Sequence, residues 1–163
     1  MKRFIVLILS LLFVYGCGPR YILKSDPPSQ KVNTDSYSIE LYPTQIILDG
    51  YTAFGLIIEN KTQNNIEIIW DKTYYLYNEA TNGGFMFEGI VYKDRNNSKP
   101  PDIIFPKTKF QKTIWPNIFV RLSQYGWLND TLPMGDNGVY ITLNVDGKEK
   151  QEKLTVNLSR KIK

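Results

Sequence analysis

Near the C-terminus, Val139, Ile141, Leu143 and Val145 alternate with Tyr140, Thr142 and Asn144. Asp146-Gly147 follows, and Leu154, Val156 and Leu158 then alternate on a returning run. A period of two places every apolar residue of both runs on one face. Asp-Gly between two such runs favours the two-residue turn whose twist matches that of paired strands. A hairpin with one apolar face is not stable alone and must bury that face against another layer. No stretch of the chain sustains an amphipathic helical period beyond two turns, so the covering layer is expected to be a second sheet.

Further runs of β-branched and aromatic residues, separated by Asn, Asp, Gly and Pro, read as strands over residues 37–48, 74–77, 85–92, 109–115 and 118–123. Pro43 marks an edge strand that bends or changes sheet. Residues 52–59 and 66–70 read as another hairpin around a polar turn, with Phe54, Leu56 and Ile58 meeting Ile66, Ile68 and Trp70. This pair resembles the B and C strands of immunoglobulin-like domains, in which an aromatic on strand C packs the core centre. The resemblance implies an all-β, antiparallel immunoglobulin-like β-sandwich of about seven to nine strands. The disulfide of antibody domains has no counterpart, because Cys17 is the only cysteine.

At the other end of the chain, Lys2 and Arg3 precede residues 4–15, apolar except for Ser10, and Gly16-Cys17 closes the run. A basic start, a short apolar stretch and a small residue at the cut form a secretory signal. Twelve apolar residues are too few for a spanning helix, which needs about 20. Val14-Tyr15-Gly16-Cys17 is similar to the lipobox of bacterial lipoproteins, with Tyr15 where that family usually has a small or hydroxylated residue. The resemblance implies that Cys17 is lipidated through a diacylglyceryl thioether, often with further acylation such as palmitate, and becomes the first residue of the mature protein. It also implies residence in the cell envelope. Gly18 is not the Asp associated with inner-membrane retention, which implies the periplasmic or outer face of the outer membrane in a Gram-negative host.

The expected layout is a cleaved signal peptide over residues 1–16, a lipidated Cys17 with a flexible tether to residue 36, and a β-sandwich over residues 37–163. Pro27-Pro28 and the polar composition of residues 24–36 suggest the tether, which would hold the domain clear of the bilayer. Tyr21, Ile22 and Leu23 fit equally well at the headgroups or on the domain. Roughly 150 residues after the signal suffice for a core without disulfides. The chain has 20 basic and 16 acidic residues, and Lys2 and Arg3 leave with the signal. The remaining excess of about two is too small and scattered to indicate a nucleic-acid partner. With no histidine and one committed cysteine, zinc sites built on His and Cys and His-dependent nucleophile systems are excluded.

Residues 78–102 form the least strand-like stretch, and Phe85, Met86 and Phe87 within it are either core or an apolar docking surface. Trp115, Tyr125 and Trp127 supply a second aromatic group able to stack sugars or peptide side chains, or to pack internally. Asp71, Glu88 and Asp94 would serve glycoside hydrolysis only at separations of about 5–10 Å, and read as solvated strand-end charges. Residues 129–138 carry oxygen donors without EF-hand spacing. No cofactor or metal is expected. The sequence points to a non-catalytic envelope protein whose partners are the membrane, through Cys17, and another envelope protein. A carbohydrate- or peptidoglycan-binding module is the alternative, and a carboxylate hydrolase a distant third.

Overall fold

The computed structural model describes residues 21–44 and 50–162. Cys17 and the expected signal peptide and lipobox lie outside the described residues. In chain order the strands are β1 (Tyr21–Asp26), β2 (Gln30–Asn33), β3 (Tyr37–Thr44), β4 (Ala53–Asn60), β5 (Ile66–Ile68), β6 (Tyr74–Tyr77) and β7 (Ala80–Thr81). Then follow β8 (Phe85–Met86), β9 (Asp102–Ile104), β10 (Lys109–Pro116), β11 (Val120–Ser123), β12 (Gly126–Asn129), β13 (Gly135–Val145) and β14 (Lys148–Ile162). All pairings are antiparallel.

The chain is an all-β sandwich. One sheet runs β1-β14-β13-β5-β9, with β6 also on β13 and β7 on β6; the other runs β2-β3-β4-β10-β8. The β13–β14 hairpin is its spine. Val145 pairs with Lys148 and the register continues unbroken to Gly135 opposite Leu158. Asp146 and Gly147 take positive φ angles of 52° and 76°, as a two-residue turn of this kind requires. Gly138 is needed for space: a Cβ there would lie 2.2 Å from the carbonyl oxygen of Leu154.

Two buried polar groups explain features that alternation alone does not show. The second edge of β13 is shared by β5 and β6, separated by a single turn of 3-10 helix at Trp70–Lys72. The fully buried Thr142 bridges this interruption, its hydroxyl donating to the Lys72 carbonyl at 2.7 Å, while Ile69 N donates to the Thr142 carbonyl at 2.9 Å. The expected hairpin of residues 52–59 and 66–70 is not one. β4 belongs to one sheet and β5 to the other, and their apolar faces meet across the core. Asn60, with no solvent exposure, builds the crossover corner. Its amide donates to the carbonyls of Asn64 at 2.7 Å and Ile104 at 2.9 Å, and its oxygen accepts from Thr62 N at 2.9 Å.

Trp70 is buried between the sheets, its ring centroid 4.7 Å from that of Phe87. Its indole N–H donates to Asp102 at 2.9 Å, and Asp102 is ion-paired with Lys112 of the opposite sheet. The Lys112 ammonium lies 3.9 Å from the Phe87 ring centroid, so charge and aromatic faces close this side of the sandwich.

The expected tether is corrected over residues 21–36. β1 pairs with β14 and β2 with β3, which adds a strand to each sheet. The polar composition of β1 and β2 reflects outermost strands with few buried side chains, Ser25 being the one buried residue among them. Such strands gain more from main-chain hydrogen bonds than from an apolar face.

Candidate binding site

Phe85, Met86 and Phe87 do not form a docking surface. They are 2%, 0% and 6% exposed: Phe85 and Phe87 join the core between the sheets, while Met86, opposite Trp115 on the end of β10, is buried on the other face of β8. The surrounding loop is also held down. The Asn117 amide donates to the Arg95 carbonyl at 2.6 Å. Asp71 accepts from the Ser98 hydroxyl and, at 2.9 Å, from Lys99 N, bonds that hold its carboxyl below the usual range. The Lys99 ammonium donates to the carbonyls of Arg95 and Asn97, and burial pushes its pKa down. Asp94 accepts from Asn97 at 3.0 Å, while Glu88 is exposed.

Of the other three aromatics, Trp115 and Trp127 come together, on one side of the five-stranded sheet, and Tyr125 stands apart from them. Ile114 enters the core, so Trp115 on the same strand faces outward. Beyond it, β11 and β12 pair only with each other among the described residues and form a two-stranded ribbon. The ribbon places Trp127 against Trp115, with ring centroids 5.4 Å apart and planes at 61°. The two indoles, Glu88, Gly89, Ile90, Val91 and Asn129 line an open groove of about 370 Å³. Trp115 Nε1 and Asn129 Oδ1 are buried without a hydrogen-bond partner among the described residues. Tyr125 sits at the ribbon tip, 91% exposed, with Gly126 in the left-handed region at φ 117°.

No protein-family model and no curated protein sequence matches this chain.

Sequence reasoning missed Leu122 and Leu128. They are 65% and 51% exposed on the ribbon, next to Tyr125. Leu122 pairs with Trp127 and Leu128 with Arg121, so apolar side chains emerge on both faces of the ribbon. With Tyr125 at the tip, the ribbon therefore presents apolar side chains on both faces and at its end. The only signal in the sequence was apolar residues around Gln124-Tyr125-Gly126, too short a run to show that no third strand would cover them. Among the described residues there is no group of three or more metal-ligating side chains, and no helix long and apolar enough to cross a membrane.

Proposed function

We propose that this chain is a lipid-anchored component of a bacterial cell envelope that acts by binding rather than catalysis, gripping a partner protein through the β11–β12 ribbon. The observation that carries this reading is the exposure of Leu122, Tyr125 and Leu128 on a ribbon whose outer edges are unpaired among the described residues. Apolar side chains together with free main-chain donors and acceptors suit a protein partner that adds a strand and fills pockets. The lipobox-like residues ending at Cys17 support the anchor, and Gly18 supports the outer membrane in a Gram-negative host. The crossover from β4 to β5 and the buried Trp70 support an immunoglobulin-like form of the sandwich.

A photo-crosslinking residue replacing Tyr125 tests the reading in intact envelopes. A single adduct of defined mass is expected, lost when Leu122→Ser is added and missing when the crosslinker replaces Glu149. Diffuse adducts of equal yield at both positions would refute the protein-partner role.

The unpartnered Trp115 N–H and Asn129 carbonyl favour one second reading, a glycan in the indole-lined groove, since a sugar hydroxyl both donates and accepts. Retention on a peptidoglycan or oligosaccharide matrix, abolished by Trp127→Ala at unchanged melting temperature, would establish it over the first.

A further inference from the structure

β14 outruns its neighbour. β13 ends its pairing at Gly135 opposite Leu158, while residues 159–162 of β14 pair, among the described residues, only with β1, from Lys24 opposite Ser159 to Tyr21 opposite Ile162. The result is a second two-stranded ribbon, projecting from the edge of the seven-stranded sheet. Tyr21 and Ile22 on it are 56% and 51% exposed, and Lys24, Arg160 and Lys161 are exposed beside them. Asp26, two rungs back, pairs with Lys24 at 3.4 Å, and Arg160 is engaged within the molecule, so among the described residues of the ribbon the unassigned positive charge is that of Lys161.

The ribbon is also the part of the described chain nearest in sequence to Cys17, four residues before Tyr21. Four residues span at most about 14 Å. The headgroup layer on each side of a bilayer is about 5–8 Å thick. An acylated Cys17 at the hydrocarbon boundary therefore keeps Tyr21 within or just above the headgroups, with no slack for a long tether. An aromatic with a polar tip, a β-branched apolar residue and cationic neighbours are the side chains that suit this layer.

We propose that the β1–β14 ribbon docks the domain onto the anionic lipid surface in which Cys17 is anchored, with Tyr21 and Ile22 at headgroup level and Lys161 against lipid phosphates. This rests on the lipid-anchor reading of Cys17. The sandwich then stands on the bilayer by its ribbon end, in place of a flexible stalk. A basic residue near an anionic surface contributes about 1 kcal/mol, or roughly fivefold in the docked-to-undocked ratio.

The test uses the full lipidated protein in vesicles of phosphatidylethanolamine and phosphatidylglycerol containing a headgroup spin-labelled lipid. A fluorophore is attached at Ile22→Cys, or at Glu149→Cys beside the far turn of the spine. Quenching is expected to be at least threefold stronger at residue 22. Adding Lys161→Glu, or replacing phosphatidylglycerol by phosphatidylcholine, is expected to reduce that quenching. Protein that floats with the vesicles but is quenched equally at both positions overturns the docking and leaves the anchor standing. Protein that does not float and carries no added lipid mass overturns the anchor, and the docking with it.

Discussion

Asn60→Ala should be among the most damaging small substitutions in this protein, although it removes no apolar contact. The native side chain is wholly buried and holds two carbonyls and the Thr62 amide at the corner where the chain changes sheet. Its bond to the Ile104 carbonyl is buried, and losing it strands an acceptor at a cost of about 1–3 kcal/mol. The bonds to Asn64 and Thr62 are partly open to water and contribute about 0.5–1.5 kcal/mol each. The sum is about 2–6 kcal/mol, a large part of the stability of a typical domain. Urea unfolding followed by tryptophan fluorescence gives the difference, with Asn82→Ala as control because that amide donates to the Ala80 carbonyl in a solvent-exposed bond. The control should stay within about 0.5 kcal/mol. A loss below about 1 kcal/mol for Asn60→Ala would refute the idea that this corner is held by its hydrogen bonds.

Two further substitutions probe the spine and its supports. Gly138→Ala should cost more than about 2 kcal/mol, because the methyl group meets the Leu154 backbone carbonyl rather than a side chain able to move; an unchanged midpoint in urea would contradict this. Tyr75 is buried and donates to Asn137 Oδ1 at 2.5 Å, and Tyr75→Phe should cost about 1–3 kcal/mol. Burial pushes the Tyr75 hydroxyl well above the usual phenol range. The stability tied to its proton is therefore complete below about pH 10, the unfolded value, and is lost as pH rises beyond it. Tyr75→Phe should flatten that alkaline decline in denaturant titrations between pH 9 and 11, and an identical slope in both proteins would count against the assignment.

The spine was the most readable part of the fold, since both of its strands keep strict alternation and Asp146-Gly147 permits only a tight turn. What the residues could not show was partnership. The runs ending at Glu59 and beginning at Ile66 look like two arms of one hairpin, because alternation fixes which face is apolar but not which sheet the strand joins. The answer lay in Asn60, whose type is ordinary in a turn and whose burial follows from tertiary contacts. β1 and β2 were hidden for the opposite reason: outermost strands held by main-chain bonds need no apolar pattern, and Pro27-Pro28 between them reads as a linker. At the site, the pairing of Trp115 with Trp127 was accessible as a cluster of aromatics, and the burial of Phe85 through Phe87 was one of two readings. Leu122 and Leu128 flank Gln124-Tyr125-Gly126 in a run too short to show their exposure, because exposure is a property of what fails to cover a residue.

The two ribbons open from the same end of the sandwich. β10 meets Phe54 near the start of β4 just before the chain enters β11, and Leu132 N bonds to the Tyr51 carbonyl just before β13 begins opposite Leu158. The Asn60 corner lies at the other pole, where Asn64 reaches Asp146 at 2.8 Å. β14 spans 15 residues, about 50 Å at strand rise, so it acts as a mast between these poles. In the docking proposed above, the mast would carry the Asp146-Gly147 turn far into the aqueous space and keep Leu122, Tyr125 and Leu128 low. A partner of the β11–β12 ribbon would then have to come close to the lipid plane to be reached, which favours one that is itself embedded in that membrane over one diffusing freely above it.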